Sequence, residues 1–445
     1  MKRRVAILLL ILAPVLMGAV GVAAGNLTLP VENSTNELAF NNPRGAMPRA
    51  LDYEPAPPVE VATSENVEHI GFVPFEEGGG RPATEVLPSA PEEVLTATGA
   101  SIQGDYMYLT SWKNISVYDI SDPEDPQLTD IEPIGFQFEN EDVATDGDIL
   151  LFSEQLPGDI LHVWDVSDKN DIKEIATLDN AGDHTMTCIL DCEWAYGSDG
   201  AIVDLRDPEN PKLMEEDWHE ITGLNSDGAH DVNEYKNGFL VTSPISDDFQ
   251  ILDVREPLNP KVRGTGAHPQ PEDFLFHSGT WPNGGKDNFV IMQGEKNFKP
   301  QCDDGQGPVM TFDATKKKGS KEFKFEQADT YRVDNGIYAD GAPAVNALGC
   351  SAHWFEVHPT FKDGGLMTLG YYEHGTHFLD VGKKGKIRNV GYFLPVGGST
   401  SASYWVTDNL VYAIDYTRGI DILRYTGPGT DGKGKGANQR GNGRG

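Results

Sequence analysis

A short pattern recurs along the 445-residue chain and constrains its fold more than any other feature: two or three apolar residues, an Asp, and often a Pro-bearing turn. It ends at Asp119, Asp165, Asp204, Asp253, Asp313 and Asp380, and a seventh copy carries Arg424 where the Asp should stand. The intervals are 46, 39, 49, 60, 67 and 44 residues. A β-propeller blade takes about 40–50 residues, because four short strands alternate with turns. Four of the six intervals fit. The two longer ones hold polar, Gly-rich stretches near Lys296–Gly307 and Lys316–Leu348, which are expected to be surface loops.

Each copy follows an apolar run, such as Tyr106–Leu109, Ile149–Phe152, Phe239–Thr242, Phe289–Met292, Leu366–Leu369 or Leu410–Ala413. The order strand, turn, strand ending in Asp, Pro turn, outer strand is the second half of one blade. Asp suits the turn because its carboxylate accepts backbone N–H bonds, and Pro because it presets φ. Seven copies predict an all-β, seven-bladed β-propeller over residues 61–426. The seventh repeat stops near Tyr425 without an outer strand, so a strand near residues 66–75 is expected to complete it and close the ring.

The copies Val117-Tyr-Asp-Ile-Ser-Asp-Pro123, Ile202-Val-Asp-Leu-Arg-Asp-Pro208 and Ile251-Leu-Asp-Val-Arg-Glu-Pro257 resemble the LVIVD-repeat family of exported bacterial and archaeal propellers. The resemblance spans roughly residues 95–425. It implies a secreted or surface-associated propeller and no particular reaction, so function has to be read from a site.

The N-terminus agrees with export. Lys2, Arg3 and Arg4 precede an apolar stretch from Val5 to Met17, and Val22 and Ala24 suit cleavage after residue 24. Residues 25–60 read as a disordered linker, and 427–445 as a flexible tail rich in Gly and Lys. No transmembrane anchor is expected after cleavage. With 69 acidic and 35 basic residues the charge is −34, and loss of the first three cations makes it −37. Such a surface repels DNA and RNA, which excludes a nucleic-acid partner. The expected partners are a cell-surface protein, a polysaccharide or a small-molecule ligand.

Four of eleven histidines, His184, His230, His277 and His353, fall in register just before the innermost hairpins of successive repeats. Innermost strands line a propeller's channel, so the four imidazoles are placed to bind Cu, Fe or Zn. The competing reading is a set of separate channel histidines bound to water. The corresponding positions in the second and seventh repeats are Asn140 or Glu141, and Ser403. Glu234 and Glu356 are candidate catalytic bases or supporting groups. His358, His374 and His377 form a lesser group, with His377 structural. No other cofactor motif is present.

Four cysteines suit an oxidising compartment. A hairpin turn at Ile189-Leu-Asp191 would bring Cys188 to Cys192, and Cys302 with Cys350 forms the expected second bridge. The rival is a thiolate from Cys188 or Cys192 beside His184. Sequons stand at Asn26, Asn33 and Asn114. Two functions compete, with a metal-assisted hydrolase a distant third. One is a binding module with a histidine metal site. The other is a metal-dependent oxidoreductase, by analogy with the axial histidines of carotenoid oxygenases and with methanethiol oxidase.

Overall fold

The computed structural model describes residues 61–74, 97–111, 114–134, 143–155, 159–225, 228–296, 307–316, 322–333, 350–395, 398–416 and 419–430. The expected leader and linker, Asn26, Asn33, Asn140, Glu141, Cys302 and most of the tail lie outside them. No helix among the described residues is long and apolar enough to cross a membrane.

Strands β1 (Val61–Thr63) and β2 (Val67–Pro74) come first. Strands β3 (Ala97–Gln103), β4 (Tyr106–Ser111), β5 (Asn114–Asp119) and β6 (Gln127–Pro133) form an antiparallel meander. The same order repeats in β7 (Ala144–Asp146), β8 (Ile149–Glu154), β9 (Ile160–Asp165) and β10 (Lys173–Asp179). It repeats again in β11 (Met186–Ile189), β12 (Trp194–Gly197), β13 (Ile202–Asp204) and β14 (Lys212–Leu213).

An eight-stranded sheet follows. Its first half is β15 (Ala229–Lys236), β16 (Phe239–Pro244), β17 (Phe249–Asp253) and β18 (Lys261–Gly266). Its second half is β19 (Leu275–Thr280), β20 (Phe289–Glu295), β21 (Val309–Lys316) and β22 (Phe323–Tyr331), joined to the first by the parallel pair β18–β22. Strands β23 (Phe355–Val357), β24 (Gly365–Gly370), β25 (Thr376–Val381) and β26 (Ile387–Pro395) form a meander that β1 extends along β26. Strands β27 (Thr400–Trp405), β28 (Leu410–Asp415) and β29 (Gly419–Tyr425) take β2 as their fourth strand. Two short helices, α1 (Trp218–Thr222) and α2 (Pro282–Gly285), complete the described elements.

The repeated Asp acts as a turn lock. Asp119 accepts the Ser121 N–H at 2.8 Å, Asp165 that of Ser167 at 2.8 Å, Asp204 that of Arg206 at 3.1 Å and Asp253 that of Arg255 at 3.4 Å. The following Asp/Glu-Pro turn closes each time through the same i to i+3 bond, as in Asn210 N–H to Asp207 O at 2.9 Å and Asn259 N–H to Glu256 O at 2.8 Å. Local chemistry therefore fixes the angle between third and fourth strands in these repeats.

Burial grades outward along each sheet. Second strands such as β8 are buried almost throughout, whereas the outer strand β10 is mostly exposed or half-buried. A strand covered on both faces by neighbouring sheets must be continuously apolar, which is why the second strands read as apolar runs. The main core clusters lie between consecutive meanders. One joins β3–β6 to β7–β10 through Val117, Leu150 and Phe152, and another joins β28 and β29 back to β3 and β4 through Tyr412, Ile422 and Met107.

First strands lie side by side: β3 by β7, β7 by β11, β11 by β15, β15 by β19, β23 by β27 and β27 by β3. The chain is a β-propeller. The Tyr412 hydroxyl of the last sheet donates to Pro123 O of the first at 2.7 Å, across the closing seam. The expected closing strand is β2, paired from Val67 opposite Tyr425 to Pro74 opposite Gly419.

Three expectations need correction. The segment 316–348 is not simply a loop, because it contains β22, whose Phe323 and Phe325 alternate with charged residues and pack against Trp281. The counterpart of the channel histidines in the last sheet is Ser401 rather than Ser403, since the register shift in β27 falls between Thr400 and Ala402. The Asn114 sequon is occluded, with both Asn114 and Ser116 buried in β5.

Candidate metal centre

Backbone irregularities gather the imidazoles. In β15 the pairing register skips His230, and in β19 it skips His277, so both occupy β-bulges. A bulge turns a side chain out of the regular alternation, here on adjacent innermost strands. His184 precedes β11 and His353 precedes β23. The four rings form a continuous arc: centroids are 4.4 Å apart for His184–His230, 3.9 Å for His230–His277 and 4.3 Å for His277–His353. All four are buried.

The arc is not one set of equal donors. Among the described residues, the group whose ligand atoms all lie within 4.8 Å of one another is His230, His277 and Glu295. Glu295 ends β20, is buried, and accepts a hydrogen bond from the Tyr372 hydroxyl. Two imidazoles and a carboxylate on rigid strands suit a divalent transition metal. His184 and His353 flank this group.

The His353 Nδ1–H donates to Ser401 O at 2.8 Å. A carbonyl only accepts, so this bond fixes the tautomer and leaves Nε2 with its lone pair. His184 Nδ1 lies 3.2 Å from Gln155 Oε1, and its Nε2 lies 2.9 Å from His230 Nε2. Two ring nitrogens at that distance cannot both direct lone pairs at each other. A proton or a cation has to reconcile them.

Aromatic rings surround the centre. Tyr372 stacks on His353 at 4.6 Å, Trp354 meets His277 edge-on at 5.3 Å, and Tyr416 lies 6.1 Å from both His353 and Tyr372.

The other candidates lie elsewhere. The Glu234 carboxylate accepts the N–H groups of Leu190 at 3.2 Å and Gly238 at 2.7 Å, holding two neighbouring hairpin turns. Glu356 accepts the Trp405 N–H at 2.5 Å, tying β23 to β27. His358 bonds Thr360 Oγ1 at 2.7 Å and Asp408 O at 2.9 Å. His374 and His377 meet at 2.9 Å, and His377 also contacts the Asn389 amide at 2.6 Å, a structural placement. Burial pushes His377 well below the usual imidazole range.

Cys188 and Cys192 form a disulfide with Cα atoms 4.5 Å apart, which removes the thiolate alternative. The turn between them runs through Leu190, Asp191 and Cys192, all with positive φ. Cys350 is also disulfide-bonded.

Glu295 escaped the sequence reading. Its position was nonetheless marked, because buried carboxylates also end the second strands β8 at Glu154 and β28 at Asp415.

No family model and no curated protein matches this chain. Among solved structures, a chain described as "YCF48 bound to D1 peptide" is similar at TM-score 0.44 and 10% identity, with 86% of this chain and 100% of that chain covered.

Proposed function

We propose that this chain is an exported, LVIVD-like seven-bladed propeller that serves as a binding module and holds one transition-metal ion at the mouth of its channel. The blade count follows if the eight-stranded sheet is taken as two blades joined at their outer strands. Export is supported by the charged and apolar N-terminal sequence and by the Cys188–Cys192 disulfide. Cys302 is assigned as the partner of Cys350.

One observation carries the metal assignment: His230, His277 and Glu295 offer donors within 4.8 Å of one another in a buried site flanked by two more imidazoles. Elemental analysis of purified protein tests it. About one Fe, Cu or Zn per chain, lost in His230→Ala and His277→Ala, supports the assignment. Metal-free protein that takes up none of these ions when they are supplied overturns it.

A second reading, a metal-dependent oxidoreductase, is favoured by the donor set itself. Two histidines and one carboxylate leave coordination positions open, the arrangement of non-haem Fe(II) oxygenases. Oxygen consumption by the Fe(II)-loaded protein that disappears in Glu295→Ala separates this reading from a purely binding role.

A further inference from the structure

We infer that Tyr372 is the positioning residue of the metal centre, orienting both the Glu295 carboxylate and the His353 ring for the ion. The inference rests on the metal reading above and adds to it the residue that sets the directions of two of the site's side chains.

The backbone at Tyr372 is the starting observation. Its φ is +31°, in a region that bulky residues avoid and that is retained where surrounding structure imposes it. What imposes it is visible. Tyr372 O accepts the Gly375 N–H at 3.0 Å and the Thr400 N–H at 2.8 Å, which ties the β24–β25 loop to the start of β27. This backbone sends the phenol inward, where it is buried.

There the side chain does two things at once. Its face stacks on His353 at 4.6 Å and 29°, on the ring whose Nδ1–H is committed to Ser401 O. Its hydroxyl donates to Glu295 Oε1, one of the two oxygens of the carboxylate grouped with His230 and His277. A hydrogen bond to one carboxylate oxygen fixes the group's rotamer and the direction in which its other oxygen faces. Tyr372 thereby links the flanking fourth imidazole to the carboxylate, which no direct contact described above does.

Co(II) is the probe, because its visible absorption reports coordination as well as binding. The full chain is titrated with Co(II) in wild type, Tyr372→Phe, Glu295→Gln and the double variant. Phe keeps the ring stacking and removes only the hydroxyl, and a matching thermal melt confirms that each variant is folded. Tyr372→Phe is expected to bind Co(II) about 10–100-fold more weakly, as outer partners of ligands typically do. Its visible Co(II) spectrum is expected to change as well, because a carboxylate no longer held in place coordinates with a different geometry. In the Glu295→Gln background the same substitution should change affinity less than about twofold, since the group it acts through is gone.

Wild-type affinity and Co(II) spectrum in Tyr372→Phe overturn the inference while leaving the metal site standing. So does an equal loss in both backgrounds. Should wild type bind no Co(II), the metal reading falls and the inference with it. If Tyr372→Phe fails to fold, Tyr372→His, which restores a donor, replaces it, and recovery of less than a tenth of wild-type affinity in that folded variant counts against the inference.

Discussion

The guanidinium of Arg424 pairs with the carboxylate of Glu124, joining the last repeat to the first over 300 residues of sequence. Arg424 also lies 3.6 Å from Glu68 on the closing strand. Beside it His69 meets the buried Asp421 at 2.8 Å. The one repeat that lacks its Asp is therefore the one that must receive a strand from the far end of the chain. A turn-locking carboxylate has been exchanged for a cation facing two acidic neighbours.

Closure should depend on the strand more than on these charges. Both Glu68 and Glu124 are more than half exposed, so Arg424→Ala is expected to cost no more than about 1 kcal/mol. Removing residues 1–74 strips β2 from β29 and uncovers Leu423, Tyr425 and the edge of the last sheet. That loss is expected to be several kcal/mol, with aggregation through the unpaired edge. Urea unfolding and light scattering of the two variants measure the difference.

At the centre, the donors should separate into two ranks. His277→Ala and Glu295→Gln remove members of the compact group and are expected to reduce metal affinity by more than about 100-fold, whereas His184→Ala, at the end of the arc, falls in the 10–100-fold range of supporting groups. Equilibrium competition against a chromogenic chelator provides the comparison. Equal losses at His184 and His277 would instead favour four equivalent ligands.

Two histidines away from the centre should make the fold acid-sensitive. Burial pushes His219 and His268 down to about 4 from an ordinary value of 6.5. Both are neutral in the folded chain near pH 5, while the unfolded chain binds their protons. The unfolded state thus takes up more protons between pH 6.5 and about 4, and stability is fully present above pH 6.5 and lost as pH falls through that window. The loss is expected to be on the order of 2–3 kcal/mol per histidine. Asp253, held well below the usual carboxylate range by Arg255 and Arg263, has its effect only at lower pH. Urea midpoints at pH 7 and pH 4.5 should draw closer together in His219→Gln, provided its pH 7 stability is retained.

Much of the fold was legible because its determinants are local. Asp119, Asp165, Asp204 and Asp253 lock their turns through hydrogen bonds to N–H groups two residues on, so the chemistry that builds each sheet recurs as a readable pattern. The histidine register was legible for the same reason. Strand β22 was not, because its repeat lacks the Pro turn and its short Phe-Lys-Phe-Glu alternation sits among lysines and glycines. Glu295 and Tyr372 belong to the centre through contacts between sheets, and neither precedes a hairpin in the phase that marked the histidines. Spacing along the chain carries no record of which strand ends meet across a channel.

The two glutamates that sequence spacing placed beside the histidines should behave as framework. Glu234 lies four residues beyond His230 in β15, roughly 13 Å along an extended strand. Its carboxylate is engaged with Leu190 and Gly238 at the turns of two adjacent hairpins, one of them closed by the Cys188–Cys192 disulfide. Glu234→Ala deprives two N–H groups of their acceptor and is expected to cost about 1–3 kcal/mol. Metal affinity and its pH profile should stay within about twofold of wild type, because additivity holds for sites this far apart. Glu356→Ala, which frees the Trp405 N–H between β23 and β27, should follow the same pattern. Chelator competition and urea unfolding on the same samples decide the matter. A Glu234 variant with intact stability and a tenfold weaker metal would return that carboxylate to the centre, whereas lowered stability with unchanged metal affinity assigns it to the propeller's frame.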